Sequence, residues 1–192
     1  MSFQSTTVSN SLPFSQRWIA GCRSLSRSWL WQATLIGIGS LSNVVYTCTF
    51  PFVGLAAISG ATLTRRQAML STVVLWFANQ FCGYRLHHYP QTINCFLWGW
   101  ALLVGMILVT WIANQRPLFS QGNLKRHYLQ FALALVLGFV VFQAVIWFSG
   151  LSLGGASLTP KILGGIFVGN VVWAVLLIML HGVLVRKQAT TD

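Results

Sequence analysis

Four long apolar runs, at 67–84, 93–113, 128–149 and 162–185, set the rhythm of the chain. Each is close to the roughly 20 residues that a helix rising 1.5 Å per residue needs to cross a hydrocarbon core of about 30 Å. Apolar positions are continuous rather than alternating, which predicts helices and argues against a β-barrel. A fifth stretch, 29–63, is too long for one ordinary span and is broken at CTFPF, where Pro51 interrupts helical hydrogen bonding. It reads either as one long kinked helix or as a full span, 29–49, followed by a short one, 51–63.

The basic residues choose between these readings, because cytoplasmic loops of membrane proteins collect Lys and Arg. With six spans and the N-terminus inside, ten of the twelve fall on the inner side: Arg17, Arg23, Arg27, Arg65, Arg66, Arg116, Lys125, Arg126, Arg186 and Lys187. Only Arg85 and Lys161 stay outside. Five spans would split the same residues five against seven, with no preference. The pattern predicts an all-α integral membrane protein, a six-helix transmembrane bundle over 29–187 with a short second span and both termini cytoplasmic. Its spans are 29–49, 51–63, 67–84, 93–113, 128–149 and 162–185, between a basic tail, 1–28, and a C-terminal tail, 188–192. Within the first tail, Trp18, Ile19, Cys22, Leu25 and Trp29 share a helical face, as in a helix lying on the inner membrane surface.

Composition strengthens the class and narrows the chemistry. Hydrophobic residues make up 55% and charged residues 7%, too little charge for the surface of a soluble domain of 192 residues. The net charge is +11, and the single acidic residue is Asp192. Because the basic residues sit singly or in pairs between apolar spans, they suit anionic lipid headgroups and not nucleic acid. With no Asp or Glu in the spans there is no carboxylate proton relay, carboxylate-bound metal or paired-carboxylate active site. There is no G-x-x-x-x-G-K-[ST] loop, so the chain does not hydrolyse nucleotide and any energy comes from another subunit or a gradient. Cys22, Cys48, Cys82 and Cys95 show neither C-x-x-C nor zinc-ribbon spacing, and a Cys82–Cys95 bridge is left open.

One stretch gathers chemistry: NQFCGYRLHHYP, residues 79–90. The six-span topology puts 84–92 in an outer loop and Cys82 at the outer end of the third span. Together with the turn around Thr49–Pro51 and the segment 149–161, this loop would roof a pocket lined by Cys82, Tyr84, Arg85, His87, His88 and Tyr89. Asn79 and Gln80 would lie one turn deeper, with Trp98 and Trp100 either as walls or as residues of the interfacial aromatic belt. Cys82 is a soft metal ligand or else a small apolar filler. His87 and His88 are adjacent and so point about 100° apart on a helix, which argues against a chelating pair and leaves either as a lone ligand or a solvent-facing residue. Tyr84 and Tyr89 belong to an aromatic belt or stack on a planar ligand. Asn79 and Gln80 hold amide groups of a ligand or, like Asn43, Asn94, Gln143 and Asn170, join helices by hydrogen bonds. His127 and His181 lie near the inner face, each a lone histidine and so weak as a haem or chlorophyll ligand.

Small residues mark two further stripes. GLAAISGA, 54–61, sets Ala56 four before Gly60 and Ala57 four before Ala61, and GGIFVG holds Gly165 and Gly169. Such stripes let helix backbones approach closely, either within the bundle or, for Ala56, Ala57 and Gly60, against a partner subunit.

Six spans, a short second helix, cytoplasmic termini and a mouth under outer loops resemble the substrate-binding S components of energy-coupling-factor vitamin transporters. The stretch PFVGLAAISGATLTRRQA, followed by WFANQFCGY and YP, is similar to the solitary cobalamin transporters of the BtuM type. The resemblance covers about residues 43–100. It implies a multi-pass protein of the bacterial inner (plasma) membrane that takes up a corrinoid, cobalamin, with Cys82 as axial ligand to its cobalt. It also implies a possible shared energy-coupling ATPase module as partner, and displacement of an upper cobalt ligand such as cyanide, for which this chain offers no acidic helper. A competing reading is a structural subunit of a photosynthetic or respiratory complex, its aromatic spans packed on pigment or neighbouring helices; a membrane enzyme ranks last.

Overall fold

The computed structural model describes residues 14–45, 51–115, 124–155 and 159–191. Among them the chain is all-α, with helices α1 (Phe14–Ser26), α2 (Trp29–Val45), α3 (Phe52–Thr62), α4 (Arg65–Arg85), α5 (Ile93–Asn114), α6 (Leu124–Leu153) and α7 (Pro160–Thr191). Among the described residues of 29–63 there are two helices, α2 and α3. Pro51 sits just before α3, where a missing N–H leaves no bond unmade, and its carbonyl accepts the first helical bond from Leu55 at 3.0 Å. A turn at Arg27 and Ser28 separates α1 from α2, so Trp29 opens α2 and is exposed. It does not share the buried face of Trp18, Cys22 and Leu25. Those three pack into the bundle, so α1 is a docked helix and not one lying only on lipid.

All eleven residues of α3 are buried. The helix runs through the centre of the molecule, against α4, α5, α6 and α7, with α1 and α2 also touching it. Its small side chains make this possible. A Cβ on Gly60 would collide with the Thr110 carbonyl oxygen of α5, and one on Gly54 would stand 2.8 Å from the Asn170 carbonyl oxygen of α7. Ala56, Ala57 and Gly60 are therefore enclosed and form no outward face for a partner subunit, because a short small-residue helix is the one that longer helices can surround. Gly165 and Gly169 differ in the opposite way: among the described residues nothing stands within 4 Å of a Cβ at either, so no described helix packs closely on that stripe.

The surface is apolar, and the largely apolar core also holds polar side chains. Large apolar side chains such as Leu41, Phe77, Leu133, Val168 and Met179 are exposed, while Asn43, Thr72, Asn79, Thr110, Asn170 and His181 are buried. A chain folded in water covers far more of its surface with charged and polar groups, whereas a bilayer solvates apolar surface and leaves buried polar groups to bond one another. Three helices, Ile93–Asn114, Tyr128–Leu153 and Pro160–Lys187, are long and apolar enough to cross a membrane. The interior bonds follow the same logic. Thr72 and Thr110 join α4 to α5 at 2.7 Å, and the Trp31 indole N–H donates to Thr62 at 2.9 Å. At the buried ends of α3, Asn170 Oδ1 accepts from the Gly54 N–H at 2.8 Å, and Asn114 Nδ2 donates to the Gly60 carbonyl at 2.8 Å. Two asparagines from other helices thus satisfy terminal groups that α3 cannot satisfy itself.

The two ends of the bundle differ in charge. Helix α1 packs on the C-terminal part of α7, and the corner between α3 and α4 is tied to it where Thr64 N–H donates to the Ser26 carbonyl at 3.3 Å. Arg17, Arg23, Arg27, Arg65, Arg66, Arg186 and Lys187 therefore gather at one end, while Arg85 ends α4 and Lys161 opens α7 at the other.

Candidate functional site

The stretch 79–90 closes α4 at the cation-poor end, and its polar groups bond mostly to the bundle itself. Asn79 is buried on the inward face of α4 and donates to Asn43 Oδ1 at 2.9 Å. Gln80 Nε2 donates to Asn79 Oδ1 at 3.3 Å, and Asn43 Nδ2 continues to the Gly39 carbonyl at 3.3 Å. Three amides thus form a short relay joining α4 to α2. Amide–amide pairing was the chemistry expected of a ligand contact; here Asn79 spends it between helices.

Beyond it the helix ends in a tight wrap. The Cys82 carbonyl accepts from the N–H groups of Leu86 at 2.8 Å and His87 at 3.1 Å, and the Gly83 carbonyl accepts from Tyr89 at 3.0 Å. This path needs His88 in the left-handed region, at φ 51°. It lays the Tyr89 ring over Gly83, where a Cβ would stand 2.5 Å from the ring, so any larger residue there would displace the ring. His87 Nε2 lies 2.9 Å from the carbonyl oxygen of Asn43, one of the last carbonyls of α2. His87 and Tyr89 are half-buried in this strap, while His88 is exposed. The opening cluster is, in good part, a device that straps one helix end onto another.

The outward side of α4 carries a groove. Trp76, Phe77, Gln80, Phe81, Tyr84 and Arg85, with Phe96 of α5, line a recess of about 240 Å³. Tyr84 and Phe96 also wall a neighbouring recess of about 370 Å³ with Gln91, Thr92 and Ile93. Residues 76, 80 and 84 recur at four-residue spacing with 77, 81 and 85 beside them, one helical face. The walls are fixed from α5: the Trp76 N–H donates to the Gly99 carbonyl at 2.7 Å, and its ring lies 5.3 Å from that of Trp100. Tyr84 stands 6.2 Å from Phe96 and 6.3 Å from Tyr89, centroid to centroid.

The sequence-predicted site is therefore divided. Gln80, Tyr84 and Arg85 share the groove; Asn79, His87 and Tyr89 serve the strap and the relay; Cys82 and Trp98 lie outside the lining of both recesses. Cys82 is a half-buried free thiol, and Cys95 is free as well. No group of three or more metal-binding side chains occurs among the described residues. His181 is buried with its ring 5.3 Å from Trp31, and the side chain of His127 lies outside the described residues. Sequence reasoning missed Trp76, Phe77, Phe81 and Phe96, although the four-residue spacing of the α4 members was there to be read. It also missed Asn114, whose partner is more than fifty residues away. Compared with known protein families, with curated proteins and with solved structures, the chain has no match.

Proposed function

We propose that this chain crosses a bacterial inner membrane six times, with both termini cytoplasmic, and takes up cobalamin captured at its outer face with Cys82 as axial cobalt ligand. The topology is supported by the charge difference between the bundle's ends. It is supported also by α4, whose 21 residues from Arg65 to Arg85 measure about 30 Å at 1.5 Å per residue, with basic residues only at its two ends. The observation that carries the capture reading is Cys82 itself: a free, half-buried thiol within a turn of the cation-poor end of α4. Deprotonated, its sulfur supplies one soft axial ligand to cobalt. The strap of His87 and Tyr89 would have to lift to admit a macrocycle, and Asn79 and Gln80 would exchange their mutual amide bonds for the corrinoid's amides. Because α3 is enclosed, an energy-coupling ATPase module would dock elsewhere, or the bundle would tilt alone.

The aromatic groove of α4 and α5 favours a second reading. Three of its aromatic walls, Phe77, Phe81 and Phe96, are exposed, and they suit a pigment ring or a neighbouring helix in a photosynthetic or respiratory complex. Purification from its native membrane separates the two. A transporter comes out alone and retains added cobalamin; a complex subunit comes out with pigment or other chains and retains none.

A further inference from the structure

The cation-rich end carries a recess of about 350 Å³, lined by Trp18 of α1, Tyr128 of α6 and Ile178, Met179, Gly182, Val183 and Arg186 of α7. Residues 178, 182 and 186 recur at four-residue spacing, so one stripe of α7 runs from an apolar side chain, past a gap, to a guanidinium. The gap is Gly182, where a Cβ would stand 3.6 Å from the Trp18 ring. The buried indole is thus the floor of the recess, and a long side chain at 182 would fill it. Met179 and Val183 are exposed walls, and Tyr128 and Arg186 line the same recess.

Charge decides what fits. Seven described cations gather at this end, and the whole chain has one acidic side chain, Asp192. Most of that positive charge has to be neutralised from outside the protein. A free inorganic anion would use the rim of the recess and leave its apolar wall bare, while a zwitterionic lipid would gain little from the surplus of cations. We propose that this recess holds an anionic phospholipid of the leaflet at the cation-rich end, an acyl chain along Ile178 and Gly182 and the phosphate at Arg186 and Tyr128. Tryptophan, tyrosine and arginine are the side chains that settle at the headgroup boundary, and basic residues there attract anionic lipid. The assignment needs only that the chain lies in a bilayer; it is independent of what Cys82 binds.

Native mass spectrometry of the delipidated full chain tests it, with phosphatidylglycerol, phosphatidylcholine and inorganic phosphate added in turn. The expected result is one retained phosphatidylglycerol in preference to phosphatidylcholine and phosphate. Arg186→Gln should lower its occupancy about fivefold, as for loss of one interfacial cation, while Arg23→Gln, an exposed cation of α1, should lower it less than about twofold. Gly182→Leu should abolish retention; if that variant does not fold, the two arginine variants decide alone. Equal retention of both lipids, retention of phosphate in place of lipid, or equal losses in the two arginine variants would overturn the site.

Discussion

At the scale of the residue, glycines that look alike in the sequence answer to different neighbours. A Cβ on Gly60 meets the Thr110 backbone, which cannot move without shifting α5, whereas one on Gly99 meets the far end of the Gln80 side chain at 2.5 Å. Gly60→Ala should therefore destabilise by about 1–3 kcal/mol, and Gly99→Ala by clearly less as Gln80 swings away, both read as thermal unfolding in detergent. Cysteines also separate by surroundings. Burial pushes the Cys22 thiol up from its ordinary value near 9 to about 12, because a buried thiolate loses its hydration. Its folded-state pKa is raised, so the stability it contributes is complete below pH 9 and is lost as pH rises towards 12. At pH 8 a maleimide should modify the half-buried Cys82 and Cys95 and spare Cys22 until the protein unfolds; rapid modification of Cys22 in the folded state would contradict its burial. The chemistry-bearing character of 79–90 was legible from residue types alone. Its assignment was not, since a histidine that straps a helix end reads the same in sequence as one that holds a ligand.

At the scale of the element, helix positions were written plainly. The apolar runs and Pro51 marked where α2 to α7 lie, because a span must satisfy its backbone internally and only a helix does so within one segment. What surrounds α3 was not written. A short run of alanine and glycine suits an exposed sliding face and an enclosed central helix equally, and the deciding contacts come from asparagines 54 and 116 positions away in the chain. The capping roles give a direct test. Asn170→Ala removes the acceptor at the N-terminus of α3 and should cost about 1 kcal/mol, with faster amide exchange at Gly54 than at the middle of the helix. Unchanged exchange there would mean that the cap does not hold α3.

At the scale of the whole molecule, the contrast between its ends unites topology and function. Seven of the ten cations that charge counting assigns to the inner side gather at one end of the fold, and Arg85 and Lys161 lie at the other. In a background without native cysteines, Pro90→Cys should react with an impermeant maleimide added outside cells, and Arg66→Cys only after permeabilisation. The reverse order would turn the bundle over and place Cys82 on the cytoplasmic side, away from any incoming vitamin. The central claim, that Cys82 meets the cobalt of a corrinoid, is tested most directly by the absorption spectrum of the purified protein incubated with cobalamin. Wild type should retain corrinoid with visible bands shifted by thiolate ligation, and Cys82→Ser should lose that shift. Bands identical in the two proteins, or no retained corrinoid in either, would contradict it.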